Sequence, residues 1–166
     1  SLAVTVMSTS ALEAALPEVL VERTAVGDRH LARAMHQQGM PLGCEESGHV
    51  LFADGLPGGD GVLTGLRACA LAGLGARPLS EALAAFTPFP RRTTKVPVTD
   101  RPPLDEVAPL QEAIRLGEAR LGPGGRVFLR YSGTEPVLRV LVEGPDDDLV
   151  DGVSADVTQR AREILA

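Results

Sequence analysis

The first forty residues constrain the fold more than any other stretch. Leu2 to Met7 is short, apolar and partly β-branched, as a strand buried on both faces of a parallel sheet must be. Ser8, Thr9 and Ser10 supply N-cap hydroxyls for a helix from Ala11 to Leu16, which Pro17 stops. Val19 to Thr24 reads as a second strand. Gly27 and Asp28 then turn the chain into a second helix, Arg29 to Gln38, with Leu31, Ala34 and Met35 at helical spacing and Gly39 closing it. Strand, helix, strand, helix in so short a span predicts α/β units.

The run from Pro41 to Phe52 is a strand edge interrupted by Glu45, Glu46 and Ser47, with Gly43 and Gly48 on either side. Acidic and polar groups in an apolar, glycine-bounded run fit a ligand loop, with a solvated turn as the plain alternative. Asp60, in Gly58-Gly59-Asp60-Gly61, is placed to cap a helix from Val62 to Leu74, where its charge would repel an anion. Gly73 to Pro78 is a breaker, and Ser80 caps a short helix with Leu83 and Phe86 on its apolar face. Composition changes between Thr87 and Pro90. The expected organisation is an α/β domain over residues 1–88, followed by an α+β C-terminal domain of antiparallel sheet plus helices over residues 89–166. The second domain reads as a strand (Arg92 to Val98), a helix (Leu104 to Leu121, bent or delayed by Pro109), a turn at Gly122 to Gly125, two strands and a last helix. Asp146, Asp147 and Asp148 start that helix with the charges its dipole favours, which is a simpler reading than a metal site. Leu149, Val153, Val157, Ala161, Ile164 and Leu165 form its apolar stripe.

Between the two late strands lies Arg130-Tyr131-Ser132-Gly133-Thr134-Glu135-Pro136. A guanidinium, two hydroxyls and a glycine that frees backbone N–H groups make a nest suited to phosphate. A hairpin turn whose Ser and Thr satisfy their own backbone is the alternative. Any such anion site has to be local. The net charge is -6 with no basic stripe, which excludes a nucleic-acid or anionic-membrane surface, and 3% aromatic residues without Trp leave no platform for stacking bases. No stretch approaches the roughly 20 apolar residues that span a bilayer. Cys44 and Cys69 form no disulfide framework, and no Cys or His falls at metal-ligand spacing around them, so a cytoplasmic setting and no metal site in this chain are expected. The chain enters its first strand directly after Ser1, as expected of part of a longer protein.

Four motifs occur in order: Val26-Gly27-Asp28-Arg29, Gly43-Cys44-Glu45-Glu46-Ser47-Gly48-His49, Gly59-Asp60-Gly61, and Arg130 to Pro136. Together they resemble the second half of the α-D-phosphohexomutases, and most of all the bacterial phosphoglucosamine mutase branch of that family. The resemblance implies the third and fourth of four domains that surround one cleft. It implies an isomerase that converts glucosamine 6-phosphate to glucosamine 1-phosphate through a phosphoserine and a bisphosphorylated sugar. It makes Glu45 and Ser47 the sugar-contacting pair, with His49, Asp28 and Arg29 as further cleft residues. Arg130, Ser132, Gly133 and Thr134 become the grip on the non-reacting phosphate, with Arg139 either assisting or paired with Glu143 or Glu135 on the strand surface. One departure is Glu46, where relatives are expected to carry glutamine, serine or methionine. No phosphoserine loop and no Asp-Gly-Asp metal loop occur, so catalytic residues and the Mg2+ ligands are expected in the N-terminal domains of the parent, the further partner besides the sugar phosphates and a homodimer mate. The alternatives are a phosphomannomutase/phosphoglucomutase and a non-catalytic sugar-phosphate-binding module.

Overall fold

The computed structural model describes residues 1–74, 78–84 and 86–166, so the expected breaker at 73–78 lies partly outside the described residues. The chain divides into two compact units, Ser1–Thr87 and Pro88–Ala166.

The first unit runs β1 (Leu2–Thr5), α1 (Ala11–Ala15), β2 (Val21–Thr24), α2 (Asp28–Gln38), β3 (Leu42–Cys44), β4 (Val50–Phe52), α3 (Gly61–Leu74) and α4 (Leu79–Ala84). Its sheet has the order β2-β1-β3-β4, with β1 parallel to both neighbours and β3 antiparallel to β4. All four residues of β1 are buried, because a central parallel strand has no solvent face and so needs no alternation. The strand stops at Thr5, short of the expected Met7, where the Ser8 N–H turns back onto the Thr5 carbonyl. Leu31, Ala34 and Met35 of α2 pack with Ala3, Met40 and Leu51 into one core. Gly43 admits that helix: a Cβ there would stand 2.6 Å from Met35 Sδ.

Asp60 caps α3 as expected, its Oδ1 accepting the Leu63 N–H at 2.9 Å. The helix itself is apolar on more than one side, and Val62, Leu66 and Leu71 stay exposed. Two local expectations change. The Ser10 side chain makes no cap, and Thr9 Oγ1 accepts the Ala11 N–H instead. Ser80 lies inside α4, and Leu83 is exposed where an apolar face was expected.

The second unit runs β5 (Arg91–Pro97), a 3-10 turn (Leu104–Glu106), α5 (Ala108–Leu121), β6 (Arg126–Tyr131), β7 (Val137–Glu143) and α6 (Asp147–Leu165). The sheet order is β5-β7-β6, antiparallel throughout. One face, carrying Val96, Val127, Leu129, Leu138, Val140 and Val142, packs on Leu110 and Leu121 of α5 and on Val150, Val153, Val157 and Ala161 of α6. Pro109 delays α5, sitting in its first turn where the absent N–H has no partner to lose. In α6 the buried line passes through Val150 and leaves Leu149 exposed. Asp146 caps the helix by accepting the Leu149 N–H at 2.9 Å.

The other face carries a row of cations. The register pairs Lys95 with Arg139 and Arg139 with Arg130, directly across three strands. Both β3–β4 and β6–β7 are hairpins, and the motifs singled out in the sequence occupy their connections, residues 45–49 and 132–136.

Candidate functional site

In the first unit the hairpin connection folds against the start of α2. Gly27, at φ 123, takes a backbone conformation that suits glycine and aims its N–H at Glu45 Oε1, 2.6 Å away. Glu45 Oε2 accepts the Ser47 hydroxyl at 3.0 Å, so the carboxylate is held from both sides with its side chain only 9% exposed. Backbone bonds from Glu45 N to His49 O and from Gly48 N to Glu45 O close the loop. His49 Nδ1 lies 2.8 Å from Asp28 Oδ1 and 3.7 Å from Glu45 Oε2. The His49 hydrogen bond, together with the Gly59 N–H, holds the Asp28 carboxyl below its ordinary range against the opposing effect of burial. With Nδ1 turned to Asp28, the Nε2 edge of His49 is left for a ligand.

The structure therefore gathers Asp28, Glu45, Ser47 and His49 into one hydrogen-bonded cluster. Arg29 is not part of it, since its Nε reaches His30 at 3.2 Å. Glu46 is exposed beside the loop. The Cys44 thiol, at the end of β3, is pushed up by burial.

The expectation of no metal ligands in this chain, with those for Mg2+ all lying elsewhere, is overturned here. Asp28, Glu45 and His49 each bring one ligand atom within 4.8 Å of the others. Sequence spacing conceals the set, because it closes only when the start of α2 lies against the β3–β4 connection. Two carboxylates suit a hard cation such as Mg2+, while an imidazole favours first-row ions such as Zn2+.

In the second unit the β6–β7 connection presents donors. Its ends are fixed by the Ser132 N–H on the Val137 carbonyl at 2.9 Å and by the Val137 N–H on the Glu135 carbonyl at 2.8 Å. Among the described residues, the N–H groups of Gly133 and Thr134, the hydroxyls of Ser132 and Thr134 and, from the end of β6, the guanidinium of Arg130 have no protein acceptor. Ser132 is 3% exposed, so its position is set by the fold and not by solvent.

Glu135 gathers the neighbouring cations. Lys95 Nζ donates to both of its oxygens at 2.9 and 3.0 Å, and Arg139 donates to Oε2 at 3.0 Å. Lys95 first, and Arg139 after it, hold the Glu135 carboxyl below its ordinary range. Of the two partners open to Arg139 on sequence, Glu135 is the one it meets, while buried Glu143 pairs with Arg126 at 2.8 Å. The buried Nε of Arg139 has no hydrogen-bond partner.

Sequence reasoning missed two neighbours of this loop. Arg101 donates to the carbonyls of Ser132 at 3.2 Å and Glu135 at 2.8 Å, and the Tyr131 hydroxyl donates to the Pro102 carbonyl at 2.9 Å. Nothing in Thr99-Asp100-Arg101-Pro102 signals a partner some thirty residues on. Lys95 reaches the loop through its register opposite Arg139, which the structure reveals.

The α/β unit thus carries a hydrogen-bonded cluster of carboxylates, a hydroxyl and an imidazole, and the α+β unit a hairpin rich in unpartnered donors. Residues 1–89 match the model of the phosphoglucomutase/phosphomannomutase alpha/beta/alpha domain III, and residues 94–160 match that of the phosphoglucomutase/phosphomannomutase C-terminal domain. The chain belongs to this phosphohexomutase family. Within it the chain is similar to phosphoglucosamine mutases. It is 44% identical over 161 residues to that of Anaeromyxobacter dehalogenans (strain 2CP-C), covering 93% of this chain and 35% of the relative. It is also 44% identical over 158 residues to that of Rhodospirillum centenum (strain ATCC 51521 / SW), covering 92% and 33%. The chain thus spans about a third of the length of these relatives.

Among solved structures, N-acetylphosphoglucosamine mutase of Aspergillus fumigatus superposes with a TM-score of 0.81 at 22% identity, covering 98% of this chain and 38% of that one. The same fungal enzyme in complex with GlcNAc-6P and magnesium gives 0.77 at 20% identity, covering 98% and 41%. At such identities the likeness is one of fold.

Proposed function

We propose that this chain supplies substrate recognition to a phosphohexomutase that interconverts glucosamine 6-phosphate and glucosamine 1-phosphate. Glu45 and Ser47 accept from ring hydroxyls, Ser47 giving up its bond to Glu45 Oε2 where it donates instead, and His49, braced by Asp28, offers its outer nitrogen to the same sugar. Arg130, Ser132, Gly133 and Thr134 hold the phosphate that is not being transferred, with Arg139 as a reserve of positive charge. The phosphoryl donor belongs to the portion of the relatives that this chain does not span. What this chain contributes to the reaction is position, which lowers a barrier by removing the entropy of bringing the groups together.

The observation that carries the reading is the 130–134 hairpin. Two hydroxyls, two N–H groups and a guanidinium without protein acceptors, in a chain of net charge -6, have no structural purpose that a common turn would not serve. The amino sugar is supported by the similarity to phosphoglucosamine mutases.

The test is an NMR titration with glucosamine 6-phosphate, glucose 6-phosphate, mannose 6-phosphate and inorganic phosphate. All four are expected to shift Ser132 to Thr134, and Arg130→Ala is expected to weaken each by roughly ten- to a hundredfold, the worth of a charge-assisted pair. Glucosamine 6-phosphate alone is expected to shift Glu45 and Ser47 as well. An equal response of those two residues to the glucose or mannose ester would overturn the hexosamine assignment. Silence at 132–134 with millimolar ligand would overturn the phosphate site.

A further inference from the structure

We infer that Arg101 is a positioning residue that aims the Gly133 N–H at the bound phosphate, an inference that rests on the reading of residues 130–134 as a phosphate site. Arg101 lies in the connection between β5 and the 3-10 turn, outside the hairpin, and is largely exposed. Its two terminal nitrogens are nevertheless spent on loop carbonyls, NH1 on Ser132 and NH2 on Glu135. The planar fork spans both ends of the loop at once, which an ammonium at the end of a flexible stem does not do. The base of the arm is fixed too, through the Tyr131 hydroxyl on the Pro102 carbonyl.

The consequence follows from the planarity of the peptide unit. The Ser132 carbonyl and the Gly133 N–H belong to one trans peptide, so they point in opposite directions. Drawing the carbonyl towards Arg101 turns the N–H to the other side, away from the guanidinium and outward. Gly133 is where this hold is needed. A Cβ there would meet nothing within 4 Å, so the glycine is not present to make room. It brings a peptide unit that rotates easily, and a rotated unit would offer the anion a carbonyl oxygen in place of a donor. Arg101 selects the donor-out orientation before any ligand arrives, which lowers the cost of ordering the loop on binding.

Positioning and simple charge attraction make different predictions for Arg101→Lys, which keeps the charge and loses the fork. The experiment titrates the 15N-labelled chain with inorganic phosphate and follows the Gly133 amide and the Arg130 side-chain Nε–H. In the parent sequence both are expected to move. In Arg101→Lys and Arg101→Ala the phosphate Kd is expected to rise by about tenfold, the worth of one hydrogen bond to a charged group, and the Gly133 shift to collapse while Arg130 still responds. Dispersed Leu138 and Val140 signals show that each variant is folded, and the exposure of Arg101 makes the lysine variant the safer of the two. Full rescue by lysine, or an undiminished Gly133 shift in both variants, would sink the inference. If phosphate leaves residues 130–134 of the parent sequence unmoved, the phosphate reading itself fails, and this inference fails with it.

Discussion

Glu135 pairs with the flanking cations Lys95 and Arg139, and its ionisation sets how firmly the loop is tied down. Its carboxyl is held low by Lys95 and Arg139, so the folded chain binds the proton less readily than the unfolded chain. The contribution to stability is therefore present above the ordinary carboxylate value of 4.5, and is lost as pH falls through the depressed folded value. Because the side chains are substantially exposed the effect is modest, and it should be local. Amide exchange at residues 132–137, corrected for the intrinsic pH dependence, is expected to accelerate as pH drops below 4.5, with Glu135→Gln losing that dependence. An unchanged pH profile in the glutamine variant would mean that the two ion pairs do not order the loop.

At the level of elements, the close contact of α5 with α6 and β6 depends on Gly117. A Cβ there would stand 2.8 Å from Val153 Cγ1 and 3.2 Å from Val127 Cγ2, and β-branched side chains have little freedom to withdraw. Replacing a mid-helix glycine by alanine gains about 1 kcal/mol of helix propensity, while overpacking costs roughly 1–3 kcal/mol. The second effect is the larger. Gly117→Ala is expected to lower the denaturant midpoint of the second unit, and a raised midpoint would show that the helices part without strain.

Sequence patterns read such elements well where the periodicity belongs to one segment alone. The buried β1, the helix of Leu31, Ala34 and Met35, the Asp60 cap and the strands around Arg130 to Pro136 all declare themselves locally. Leu149 was misplaced because a strict four-residue repeat drifts round a 3.6-residue helix, which carries it to the edge of the face that buries Val153, Val157 and Ala161 and leaves Val150 nearer the centre. The Asp28–Glu45–His49 set and the reach of Arg101 were invisible for a different reason. Each joins residues whose proximity is created by tertiary packing, and no spacing rule encodes that.

For the molecule as a whole, charge is the governing quantity. A net -6 chain repels phosphate at long range, whereas Lys95, Arg130 and Arg139 attract it at short range. Salt screens both, with a Debye length that shrinks from about 10 Å at 0.1 M to about 3 Å at 1 M. Since the cations lie within contact distance and most of the acids do not, moderate salt should first remove the repulsion. Phosphate affinity measured by calorimetry is therefore expected to fall less steeply between low and moderate salt than at a site on a basic protein. A steep fall from the lowest salt onwards would mean that the distant acids do not oppose binding.

The placement of both candidate loops on hairpins also orders events in time. Contacts between neighbours in sequence can close in about 1–10 μs, whereas parallel pairs such as β1 with β2 must wait for a crossover to be laid down. The 45–49 and 132–136 turns can thus be shaped early in folding, while the surroundings that brace them arrive later. A nascent chain would then carry the outlines of both turns before it has the rigidity to hold them, and late packing, not turn formation, would govern when the proposed sites become competent.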